Sequence, residues 1–125
     1  MNVVDSSGWI EYFNGGPNAR FFQPAILATD ELVVPTMVIL EVYRHIRKHG
    51  GWDAALRAVA GMKQGKVQEL DEQMALNAGE LGIEHGLPLA DSVILASARI
   101  HGATLWTQDS DFQGLEGVNF KEKRG

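Results

Sequence analysis

Short apolar runs alternate with longer helical patterns along this chain, and few folds accept that order. Val3-Val4 ends at Asp5, Glu31-Leu32-Val33-Val34 ends at Pro35, and Ala103-Thr104-Leu105-Trp106 leads into Asp109 and Asp111. Lys66-Val67-Gln68-Glu69-Leu70 alternates polar and apolar as a half-buried edge strand does, and Gly117-Val118-Asn119-Phe120 reads as a last short strand. Strands alternating with helices across short glycine-rich turns imply an α/β/α sandwich: a central parallel sheet of four or five strands with helices on both faces.

The helices are read from caps and periodicity. A short one follows Asp5 and stops at Gly15-Gly16, and Phe21 to Leu27 is helical in part, with Pro24 near its start or breaking it. Thr36 is expected to cap a helix from Met37 to His49, whose first half is apolar all round and so sandwiched. Trp52, Leu56 and Val59 recur at i, i+4 and i+7 and predict a buried stripe on a helix ending near Met62. Asp71 is expected to cap a helix buried through Met74, Ala78 and Leu81 and stopped by Gly86. Pro88 opens the most apolar helix, Leu89 to His101, which should be central. Trp9 and Trp52 are expected as core anchors, and the tail Lys121 to Gly125 as solvated.

At 125 residues the chain fits a single domain, 1–125. The absence of cysteine excludes disulfides, thiolate nucleophiles and zinc ribbons, so any metal has oxygen or imidazole ligands. No basic leader or long apolar stretch stands out, and a cytoplasmic protein without a membrane partner is expected. The net charge of −5 argues against nonspecific coating of nucleic acid, yet Val42 to Gln68 carries six basic residues against the one acid Asp53.

Five acids occupy places that invite chemistry. Asp5 and the pair Asp109/Asp111 follow strands, where an ordinary helix or turn cap is the plain alternative. Glu41 interrupts Met37-Val38-Ile39-Leu40, with an intrahelical pair to Arg44 or His45 as its plain alternative. Asp91 interrupts Leu87 to Leu95 in a helix's first turn, where the helix dipole offers only about 0.3–1 kcal/mol. In a doubly wound sheet all of these lie at the carboxyl edge, and they converge if the first and fourth strands are neighbours. Carboxylates so gathered repel unless protonated or metal-bound, and Mg²⁺ or Mn²⁺ suits an all-oxygen site.

Asn2 to Ser7, Glu41, Leu89 to Ala98 and Leu105 to Phe112 together resemble the PIN domain, in particular the VapC-type toxins of toxin-antitoxin systems. The resemblance covers almost the whole chain and implies Mg²⁺- or Mn²⁺-dependent cleavage of RNA, a homodimer and a cognate antitoxin. Carried over, the acidic quartet is Asp5, Glu41, Asp91 and Asp109, with Asp111 as a further metal ligand and Ser6 and Thr107 as auxiliary hydroxyls. Trp106 stands where that family usually has a small aliphatic residue.

The chemistry expected is metal-assisted phosphodiester hydrolysis, with Arg44, Arg47 and Lys48 on the flanking RNA backbone. Asp5→Asn or Asp91→Asn is expected to abolish it and spare the fold. His45 and His49 stand at zinc-binding spacing, but Ile46 replaces the glutamate of a zinc protease, and a cation favoured at a helix C-terminus is the better reading. His85 and His101, each before a glycine, read the same way. Two alternatives from other classes are a non-catalytic binding module of this fold and a receiver-like phosphotransfer domain.

Overall fold

The computed structural model describes residues 1–124, so of the tail only Gly125 lies outside the described residues. Five strands, β1 (Asn2–Val4), β2 (Leu32–Pro35), β3 (Lys66–Gln68), β4 (Thr104–Thr107) and β5 (Val118–Phe120), form one sheet in the order β3-β2-β1-β4-β5. Every pairing is parallel, as the alternation with helices requires. The six helices are α1 (Ser6–Asn14), α2 (Ala19–Leu27), α3 (Thr36–Gly50), α4 (Trp52–Met62), α5 (Glu72–His85) and α6 (Leu89–Ile100). From β1 the chain steps outward to β2 and β3, then crosses back through α5 and α6 to β4. The direction reverses between β1 and β4, which is where an open α/β sheet forms its crevice.

The core is the sheet and what packs on it. Val3, Val4, Val33, Val34 and Leu105 are fully buried, and α6 lies across β1, β2 and β4 with every residue from Ser92 to Ala98 buried. That central helix is the one the apolar sequence singles out. Trp9 is buried as expected and stacks on Phe13 at 5.6 Å. Gly8 is required by packing: a Cβ there would lie 2.6 Å from Val4 Cγ1 and 2.7 Å from the Phe22 ring. α1 thereby begins pressed against β1 and α2.

Several expectations are corrected. On α4 the buried face is Ala55, Ala58 and Met62, while Trp52 is 59% exposed and Leu56 43% exposed. Small residues let α4 approach α3 closely, and the large ones turn to solvent, so Trp52 is not a core anchor. Thr36 does not cap α3; it is the helix's first residue after Pro35, whose fixed φ of −65° already sets the entry. The first half of α3 is not sandwiched, since Val38 and Val42 are buried and Leu40 is exposed. Pro24 sits inside α2 in its second half. Side chains 121–124 are exposed, yet the tail's backbone is pinned: Lys121 N–H donates to Thr107 O at 3.0 Å, and Glu122 O accepts from Asn18.

Candidate metal centre at the carboxyl edge

Register builds this site. Val4 pairs with Trp106 and Asp5 N–H donates to Trp106 O at 3.1 Å, which sets Asp5 opposite Thr107. A slip by one residue would turn both side chains to the other face. Thr107 Oγ1, fully buried, donates to Asp5 Oδ2 at 2.6 Å and accepts Asp109 N–H at 2.9 Å. Asp5 Oδ1 accepts Ser7 Oγ at 2.7 Å and Gly8 N–H at 2.9 Å, so it is also the N-cap of α1. The plain reading and the chemical one hold together at this residue. Trp106 is accommodated at its unusual position because its Nε1 donates to Asn2 Oδ1 at 2.9 Å and its ring lies 5.2 Å from Phe21.

After β4 the chain makes a single 3-10 turn, Ser110–Phe112, capped by Asp109 Oδ1, which accepts Asp111 N–H at 2.9 Å. That turn aims Asp109 and Asp111 toward Asp91 in the first turn of α6. Oxygens of Asp91, Asp109 and Asp111 lie within 4.8 Å of one another. Among the described residues this is the group with metal-ligating geometry. Glu41 on α3 stands apart from it, half-buried, with Oε1 accepting Ser6 Oγ at 2.5 Å. Ser6 therefore serves Glu41, and Thr107 is consumed in holding Asp5 and the Asp109 backbone.

Electrostatics mark the same place. Burial pushes the Asp5 carboxyl up to about 6 despite opposing hydrogen bonds from Thr107, Ser7 and Gly8, and the charge of Asp109 adds to the rise. Asp91 is pushed up to about 7 by burial, then by Asp109, Asp111 and Asp5. A hard divalent cation relieves both effects at once, and the all-carboxylate donor set fits Mg²⁺ or Mn²⁺.

Of the basic residues, Arg44 and Lys48 line an open groove of about 530 Å³ that includes Glu41, Met37 and Leu89. Arg47 is exposed and does not line it. His45 and His49 lie with ring centroids 4.5 Å apart and planes tilted by 46°, near the C-terminus of α3. His45 is held below its usual range by burial and by the charges of His49 and Lys48. His101 Nε2 pairs with Gln68 Oε1 at 2.6 Å, and His85 Nε2 is buried without a hydrogen bond.

Sequence reasoning passed over Ser7, Gln108 and Asn18. Ser7 was within reach, since a hydroxyl two residues past an N-cap aspartate commonly turns back to it. Asn18 Nδ2 donates to Gln108 Oε1 at 2.9 Å across 90 residues, and no local pattern signals such a pair.

The profile of the PIN domain matches residues 3–118. The chain belongs to the PIN domain family. No curated protein matches it closely enough to count as a relative. Among solved structures, a toxin-antitoxin complex from Klebsiella pneumoniae superposes with a TM-score of 0.80 at 23% identity, covering 95% of this chain and 96% of the other. VapC20 of Mycobacterium tuberculosis, described as a toxin cleaving the sarcin-ricin loop, gives 0.77 at 20% identity over 94% and 98%. DNA-bound VapBC from Salmonella typhimurium gives 0.73 at 20% identity over 98% of each chain. This PIN domain thus has VapC toxins and VapBC complexes as structural neighbours, and it shares their fold.

Proposed function

We propose that this PIN domain is a Mg²⁺- or Mn²⁺-dependent endoribonuclease, the toxin of a VapBC-type pair. The observation that carries this reading is the convergence of Asp91, Asp109 and Asp111 beside Asp5 at the β1/β4 crevice, with two carboxyls raised toward neutrality.

Asp91, Asp109 and Asp111 would hold the ion, with Asp5 as a further ligand. Bound there, the ion supplies positive charge at the scissile phosphate and acidifies the attacking water. Asp5, fixed by Thr107, Ser7 and Gly8, keeps the β1 and β4 ends in register, so the ligands do not drift. Glu41, held by Ser6, would orient the water. Arg44 and Lys48 share the groove with Glu41 and offset flanking phosphates that the acids would otherwise repel; Arg47 serves phosphates farther along.

The antitoxin is supported by neighbours solved as toxin-antitoxin complexes. The homodimer is supported by exposed apolar side chains beside the groove, Leu40 and Leu89. No helix among the described residues is long and apolar enough to cross a membrane, which agrees with a cytoplasmic toxin.

The test is to sequence RNA ends after incubation with wild type and with Asp91→Asn, in Mn²⁺ and in EDTA. Discrete new ends that need both Asp91 and the metal support the reading. Metal binding without cleavage would leave a non-catalytic module, and acid-labile phosphorylation of Asp5 or Asp109 would favour phosphotransfer.

A further inference from the structure

Beside Asp109 lies an open cavity of about 570 Å³, lined by Ser7, Gln108, Ser110, Gln113, Phe120 and Lys123 along with Asp109 itself and Glu122. We propose that this cavity receives the nucleobase adjoining the scissile phosphate and that Gln108 and Phe120 set the base preference. The inference rests on the ribonuclease reading.

The argument begins with an amide whose orientation the structure fixes. Asn18 is buried, with its backbone N–H on Glu11 Oε2 at 2.8 Å. Its side chain meets the Glu122 backbone carbonyl at 3.0 Å, and a carbonyl only accepts, so the atom there is the Asn18 amino group. The second N–H of that group goes to Gln108 at 2.9 Å, so Gln108 presents its oxygen to Asn18. The free end of Gln108 must then be its amino group. That side chain is 5% exposed, and the amino group's contact is Ser7 O at 3.5 Å, the outer limit of a hydrogen bond. This oriented amino group thus spends one long hydrogen bond on Ser7 and belongs to a buried residue that lines the cavity, where an acceptor would complete its bonding.

The rest of the lining narrows the occupant. Asp109 and Glu122 oppose a second phosphate, so the neutral, planar part of a nucleotide belongs here. Phe120, half-buried at the end of β5, offers a face for stacking, and Ser110 and Gln113 at the rim offer adaptable polar groups. Lys123, kept beside the cavity by the pinned backbone at Glu122, supplies the one positive charge of the lining. Because Asp109 belongs both to this wall and to the carboxylate cluster, a base seated here lies next to the reacting phosphate.

The test uses single-stranded oligoribonucleotides carrying one mapped cut, with the bases on either side of it varied singly. Wild type, Gln108→Glu and Phe120→Leu cleave them in Mn²⁺, and relative kcat/KM is compared within each protein. Gln108→Glu keeps an acceptor toward Asn18 and replaces the free donor by an acceptor. It is expected to reorder base preference at one flanking position by about tenfold and to leave the other positions alone. Phe120→Leu is expected to lower kcat/KM about tenfold and to flatten the purine-to-pyrimidine ratio at that same position. If Gln108→Glu does not fold, the Phe120→Leu ratio decides.

Unchanged preference in both variants, with wild-type cleavage sites, overturns the cavity assignment while the nuclease reading stands. No metal-dependent cleavage by wild type sinks the nuclease reading itself.

Discussion

Asp5 and Asp91 are both carboxylates raised toward neutrality at one crevice, yet they are held in opposite ways. Asp5 is 3% exposed and has both oxygens engaged by Thr107, Ser7 and Gly8. Asp91 is half-buried and faces two more acids, with Asp111 near enough to share a proton when one of the pair is protonated. For Asp5 the dominant influence is burial, answered by donors. For Asp91 it is burial joined to like charge, which protein donors here do not answer. The first arrangement ties the ends of β1 and β4 together, and the second leaves its repulsion for a cation to relieve.

The sharpest way to break this contrast is Asp91→Asn. If Asp91 ligates the ion as proposed, losing its charge is expected to lower RNA cleavage on the order of 10³-fold. The same change should leave the metal-free melting temperature unchanged or higher, because it removes repulsion. A lower melting temperature with cleavage retained would reverse the roles of the two acids.

Thr107→Val tests the other partner. It strips Asp5 of its closest donor and leaves Asp109 N–H without an acceptor, so a loss of about 1–3 kcal/mol in urea unfolding is expected. Cleavage should fall about 10–100-fold, as when a group orienting a ligand is removed. Retention of wild-type activity would show that Asp5 needs no fixing.

Acidity separates apo from metal-bound protein. Asp5 and Asp91 have folded values near 6 and 7 against 3.8 for an ordinary aspartate, so the folded state binds more protons between those limits. Their contribution to stability is complete below about 3.8 and is lost as pH rises through about 6 to 7. For Asp5 the span corresponds to a loss on the order of 3 kcal/mol. Saturating Mn²⁺ at pH 7 should restore about 2–3 kcal/mol, read as a rise in melting temperature that EDTA abolishes. A pH-independent apo melting curve over this window would show that the two carboxyls are not raised.

The smallest effect on chemistry comes from Gly8→Ala. Its Cβ would enter Val4 and Phe22, with an expected loss of about 1–3 kcal/mol by chemical denaturation and no change in Mn²⁺ affinity by calorimetry. Weakened metal binding would mean that packing beneath α1, as well as the donors on Asp5, sets the site.

The acids and the sheet were legible for one reason. Strand ends and helix starts carry local signals, and the carboxyl edge of a parallel sheet gathers them whatever the loops do. Helix faces were less legible. Trp52 and Leu56 follow helical spacing as well as Ala55, Ala58 and Met62 do, and only the close approach of α3 selects the small set for burial. Thr107 was legible as an auxiliary hydroxyl, but its hold on Asp5 was not, because that partner lies about a hundred residues away in the sequence.

Periodicity and caps act within a few residues, and they suffice to specify a parallel α/β/α sheet, a central α6 and a set of acids destined for its carboxyl edge. Tertiary packing is what sets Asp111 with Asp91 and Asp109 while Glu41 turns to Ser6, and what lets Asn18 fix the amide of Gln108 beside an open cavity. Those arrangements depend on strand register and on hydrogen bonds between distant segments, and a local sequence pattern encodes neither.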